Sequence, residues 1–87
     1  MRIEVWTLPG CERCVAAKAR ILAAGHQIVE CDLKSVQQAE TRDVSVLTQI
    51  TLQNGYAPVL RPANAEADVF IEPDFLEDWL EKHPAGS

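Results

Sequence analysis

One short stretch constrains this chain more than any other. Leu8-Pro9-Gly10 is followed at once by Cys11-Glu12-Arg13-Cys14 and then by a run of alanine, leucine, lysine and arginine. Before it, Arg2-Ile3-Glu4-Val5-Trp6-Thr7 roughly alternates apolar and polar residues and is rich in β-formers, which predicts a strand. Proline lacks an amide donor and glycine tolerates unusual backbone angles, so Pro9-Gly10 ends that strand. Residues Glu12 to Ala24 then favour a helix, closed by Gly25 in the left-handed region. His26 to Leu33 reads as a second strand. Two strands joined through one helix form a βαβ unit, so they are expected to run parallel.

The next segment, Ser35 to Asn54, supports two readings. Val36, Ala39, Val46, Leu47 and Ile50 make a helical stripe broken by Asp43, whereas Val44, Val46, Thr48, Ile50 and Leu52 alternate ahead of the hairpin signal Asn54-Gly55. Pro58 would interrupt the return strand of such a hairpin almost at once, which decides for a helix ended by Gly55. Pro58-Val59-Leu60 and Val69-Phe70-Ile71 read as two short strands joined by a polar turn. Pro73 suits a first helical position, and Phe75, Leu76, Trp79 and Leu80 form one apolar face beyond it. The expected order is βαβαββα, an α/β fold around a four-stranded mixed sheet with flanking helices. It forms a single domain over 1–83, with 84–87 a flexible tail.

With 87 residues there is room for one small core. The net charge of −5 is unevenly spread: residues 1–25 carry +2, residues 26–62 carry −1, and residues 63–87 carry −6. A chain this acidic, with no basic cluster, has no means of neutralising phosphates, so nucleic acid and anionic membrane surfaces are not expected partners. No apolar run is long enough to span a bilayer. Met1 leads straight into Arg2-Ile3-Glu4-Val5, without the apolar segment of a secretory signal, so a cytoplasmic location is expected; a monomer is expected as well.

Cys11 falls at the start of the first helix, where unpaired amides and the helix dipole stabilise an anion. Its thiolate is thereby favoured over that of an ordinary cysteine. Cys14 lies three residues on, on the same helical face, and can close a small disulfide ring with Cys11. Arg13 favours a thiolate and Glu12 opposes one. The pair reads as a redox motif in a βαβ setting. Two other readings compete, a zinc site and a structural pair on a binding module. Zinc would need two more ligands, and Cys31, His26 and His83 lie at no ligand-pair spacing, so no metal is expected. Cys31 is expected to be a buried apolar strand residue, the alternative being an extra redox thiol. His26 and His83 are expected in solvent, and Trp6 and Trp79 in packing. On residue statistics alone the Ala57-Pro58 bond would be trans.

Val5 to Cys14 resembles the strand and active-site signature of glutaredoxins, and Ala57-Pro58-Val59 resembles the family's proline-valine strand start. The spacing of the two motifs and the acidic closing helix extend the likeness over nearly the whole chain. The resemblance implies a thioredoxin fold and a thiol–disulfide oxidoreductase. In it Cys11 attacks, Cys14 resolves, and Pro58 is cis, so that the backbone at Ala57 pairs with substrate or glutathione. It implies no bound cofactor, with reducing equivalents from thioredoxin reductase and NADPH or from glutathione, and a disulfide-containing protein substrate. The chain departs from the family in having Glu12 and Arg13 between the cysteines instead of proline and tyrosine. It also carries Ile71-Glu72-Pro73-Asp74 where a Gly-Gly-Asp turn helps to hold glutathione. Pro73-Asp74 and His83-Pro84 are closer to the NrdH-redoxin branch, which is reduced by thioredoxin reductase and supplies ribonucleotide reductase, although that branch's Trp-Ser-Gly-Phe-Arg segment is absent.

Overall fold

A computed structural model describes residues 2–34 and 44–85. The elements are β1 (Arg2–Thr7), α1 (Glu12–Ala23), β2 (Gln27–Asp32), α2 (Val44–Leu52), β3 (Val59–Pro62), a 3-10 turn (Pro73–Phe75) and α3 (Leu76–Lys82). β1 is the central strand. It pairs in parallel with β2, from Arg2 against Gln27 to Thr7 against Asp32, as the intervening helix requires. On its other side it pairs antiparallel with β3, from Ile3 against Pro62 to Trp6 against Val59. Among the described residues the sheet therefore has three strands in the order β2-β1-β3, not the four expected.

The missing strand is Val69–Ile71, which is reduced to one bridge, with the Ile71 amide donating to the Leu60 carbonyl at 2.8 Å. The reason lies in the prolines. Antiparallel hydrogen-bonded pairs recur every second residue, so the neighbours of the Leu60–Ile71 pair would be Pro58 with Pro73 and Pro62 with Val69. Three of those four residues have no N–H to give, and the Val69 amide donates instead to the Glu66 carbonyl at 3.1 Å. The ladder cannot propagate in either direction.

Both helix ends follow the sequence. Gly25 has φ +87°. Its amide donates to Leu22 and that of His26 to Ile21, the paired bonds of a glycine-closed helix end. The segment before Gly55 is helical over Val44–Leu52. It closes through Asn54 and Gly55, at φ +56° and +81°, with the Gly55 amide on the Ile50 carbonyl at 2.9 Å. The part of the expected helix at 35–43 lies outside the described residues, as do positions 86 and 87 of the tail.

Strand alternation sends the sheet's apolar residues to two faces. On one, Ile3, Val5, Leu60 and Ile71 pack with Ala17 and Ile21 of α1 and Leu76 of α3, with Ile28, Trp79 and Leu80 around them. On the other, Trp6 and Val59 join Cys14, Leu33, Val46 and Ala57, with Cys11, Leu47 and Phe70 at the margin. The tryptophans thus pack as expected. His26 does not stay in solvent. It is 3% exposed, its Nε2 donates to the His83 carbonyl at 2.8 Å, and its Nδ1 has no hydrogen-bond partner among the described residues. Burial follows from its place immediately after the closing glycine, where the chain turns beneath α3. His83 is exposed and stacks on Trp79 with ring centroids 4.2 Å apart.

Candidate functional site: the Cys11–Cys14 pair

The turn at Pro9-Gly10 delivers Cys11 to the N-cap of α1 in an extended conformation, with φ −86° and ψ 105°. In place of the usual serine or aspartate oxygen, the cap is a sulfur: Cys11 Sγ accepts from the Cys14 backbone N–H at 3.1 Å. The two cysteines form a disulfide, with their Cα atoms 5.3 Å apart. Helical spacing makes them unequal. Cys14 shares the inward face of α1 with Ala17 and Ile21 and is 2% exposed, whereas Cys11, ahead of the first turn, is half-buried. One sulfur is reachable from solvent, with helix amides behind it; the other is covered.

Ala57 and Pro58, the other two expected site residues, are buried. Ala57 belongs to the same apolar cluster as Cys14, against which Cys11 packs. The Ala57–Pro58 peptide is cis, in keeping with the family resemblance and against residue statistics. Arg13, between the two cysteines in sequence, lines an open groove of about 400 Å³ together with Gln49, Gln53, Tyr56, Glu72 and Asp74 among others. The Arg13 guanidinium lies 5.5 Å from the centre of the Tyr56 ring, a cation–π distance. Lys18 is engaged elsewhere, with Glu30 at 3.2 Å. The cation nearest the pair in sequence is thus Arg13, and it faces the groove.

Cys31 departs from its expected burial. β2 is an edge strand with most of its residues exposed, and Cys31 is only half-buried. Burial nevertheless pushes its thiol up, with Glu4 and then Glu30 adding to the rise against the opposing Arg61. That arginine is one residue the sequence pattern does not mark. It sits on β3 opposite Glu4 of β1, with Nη2 donating to Glu4 at 2.8 Å and Nη1 to the Ala67 carbonyl at 2.9 Å. Its guanidinium lies 5.9 Å from the Trp6 ring and 5.6 Å from the Phe70 ring. The sequence likewise does not single out Gln49, Gln53 or Tyr56 as groove residues, because nothing in α2's periodicity separates a groove position from any other half-exposed one.

Compared with known proteins, the chain matches no family model, no curated protein and no solved structure. Its small α/β architecture, with the CxxC pair opening the first helix, is compatible with a thioredoxin-like fold. Among the described residues no group of three or more His, Cys, Asp and Glu is placed to hold a metal ion, and no helix is long and apolar enough to cross a membrane.

Proposed function

We propose that this protein is a dithiol–disulfide oxidoreductase of the glutaredoxin-like kind, acting on protein disulfides. The observation that carries the reading is the asymmetry of the pair: a reachable Cys11 sulfur that accepts a backbone N–H at a helix start, and a covered Cys14 within bonding distance of it. A thiolate at Cys11 is stabilised by that amide and by the helix dipole, and thiolates are the attacking species in disulfide exchange.

In the reduced protein the Cys11 thiolate attacks one sulfur of the substrate disulfide. A Cys11–substrate disulfide forms, and the other substrate sulfur leaves as a thiolate that takes up a proton. Cys14 then loses its proton and attacks the Cys11 sulfur, releasing the second substrate thiol and leaving the Cys11–Cys14 disulfide. Two electrons pass from the dithiol to the substrate, and a reductant outside the protein must return them. The groove bears on which one. Glutathione is anionic, and Glu72 and Asp74 line the groove where the family has a glycine turn. This favours a thioredoxin-reductase type of donor over glutathione. The protein substrate can be a ribonucleotide reductase, as in the branch whose sequence features the chain shares.

Incubation of single-cysteine variants with a protein disulfide tests the reading. Cys14→Ser should accumulate a mixed disulfide at Cys11, visible as an adduct by mass spectrometry, and Cys11→Ser should form none. Absence of turnover in the wild type, with no adduct on either variant, would leave an interaction module that merely retains the pair.

A further inference from the structure

Gln53, one residue past α2, engages both ends of its side-chain amide. Its Nε2 donates to the Tyr56 carbonyl at 2.8 Å and to the Pro58 carbonyl at 3.0 Å. Its Oε1 accepts from Gln49 Nε2 at 2.9 Å. The two hydrogens of one amide therefore hold the carbonyls on either side of Ala57, and those two carbonyls, which can only accept, fix which way that amide faces. A reversed amide would set Oε1 against two carbonyl oxygens, so only this orientation holds the loop, and Gln49 pairs the Oε1 left facing away from it.

Ala57 itself, between the two held carbonyls, makes no backbone hydrogen bond among the described residues, although the residue is only 6% exposed. Backbone groups at such positions are nearly always paired in folded proteins. The open N–H and C=O belong to a residue in the same cluster as Cys14, with Cys11 packed against it. An extended polypeptide has the complementary donors and acceptors to fill them, as when a strand is added to a free edge.

We propose that Gln53 is a positioning residue for polypeptide substrates: it clamps the carbonyls of residues 56 and 58 so that the Ala57 backbone stays presented for main-chain pairing beside the cysteines. The inference rests on the oxidoreductase reading. Pairing of a substrate with the Ala57 backbone is what the family resemblance already implies; what is added is that the Gln53 amide holds that backbone in place. A small disulfide without peptide groups gains nothing from the clamp.

The test compares two substrates, insulin and 2-hydroxyethyl disulfide, in the wild type, Gln53→Met and Gln49→Leu, with thermal unfolding to establish that each variant is folded. Gln53→Met keeps the side chain's length and removes its donors. Its kcat/KM ratio for insulin over the small disulfide should fall about tenfold, as expected for two lost hydrogen bonds that position the binding edge, and through KM rather than kcat. Gln49→Leu, which removes only the bond accepted by Gln53 Oε1, should move the ratio the same way by less. A ratio unchanged in Gln53→Met, or equal losses on both substrates, would overturn the clamp while leaving the oxidoreductase reading intact. A wild type that reduces neither substrate would overturn the oxidoreductase reading, and the clamp with it.

Discussion

Cys31 provides a quantitative check on which thiols do the chemistry. Once the Cys11–Cys14 disulfide is reduced, the chain has three thiols in reach of one another's clusters, and only the local environment separates them. An ordinary cysteine, with a pKa of about 8.5, is about 3% thiolate at pH 7. Burial, Glu4 and Glu30 hold Cys31 above its ordinary value, so its thiolate fraction at pH 7 lies below that figure. Cys11 has the helix start and the Cys14 amide on its side. Brief treatment of the reduced protein with iodoacetamide at pH 7 should therefore modify Cys11 faster than Cys31 by about tenfold or more, since thiolate fraction sets the rate.

The assay is direct because trypsin separates the three cysteines. Cleavage after Arg2, Arg13, Lys18, Arg20 and Lys34 leaves Cys11 in 3–13, Cys14 in 14–18 and Cys31 in 21–34. Between pH 6.5 and 8.5 the Cys31 rate should climb about a hundredfold, tenfold per unit, because it stays below its pKa throughout. The Cys11 rate should climb less steeply over the same range, because the helix start and the Cys14 amide favour its thiolate. Glu30→Gln separates the causes. A single exposed charge at contact distance in water is worth about 1 kcal/mol, so removing it should speed Cys31 by less than about fivefold and leave burial in control. Cys31 alkylated as fast as Cys11 at pH 7 would refute this reasoning and admit Cys31 as a redox thiol.

Three further predictions follow from the same geometry. Oxidised protein should be re-reduced faster by a thioredoxin reductase with NADPH than by glutathione, and Glu72→Gln with Asp74→Asn should raise the glutathione rate, more so at low salt, because the screening length is about 8 Å at physiological ionic strength. Cys31→Ser should leave reductase activity intact and cost less than about 1 kcal/mol in urea unfolding, since its site is half-exposed; folding raises this thiol's pKa, so its contribution to stability is present below about pH 8.5 and lost as pH rises through the folded value, and Cys31→Ala should remove that alkaline slope. Ile21→Ala, at a site with no exposure between α1 and the sheet, should cost about 3 kcal/mol in the same assay.

What could be read from the sequence was local. The strand, the Pro9-Gly10 break, the CxxC at a helix start and the Gly25 closure lie within about one element of each other, and each follows from backbone chemistry that neighbouring residues settle among themselves. Pro58 also decided correctly between helix and hairpin before Asn54-Gly55. The failed fourth strand was legible in principle: Pro58, Pro62 and Pro73 are visible in the sequence. Seeing their effect requires the pairing of Leu60 with Ile71, because only that register puts three prolines at the next hydrogen-bonded positions.

The residues that were missed share a different property. His26 is buried against a carbonyl 57 positions away, and Arg61 meets Glu4 across the same separation. No periodicity can report such partners. A polar residue in a strand looks solvent-facing unless the element that covers or pairs with it is known. Gln53 is subtler, because its partners at 49, 56 and 58 are close in sequence. A glutamine at a helix end is ordinarily solvated, and what makes this one different is the loop turning back over it into β3. The same turn brings Ala57 into the Cys14 cluster. The cysteines' position was thus readable from their own helix, whereas the shape of the surface beside them depends on how α2 and β3 are joined. The loop of residues 53–58, tied down by the Gln53 amide, is what sets that surface.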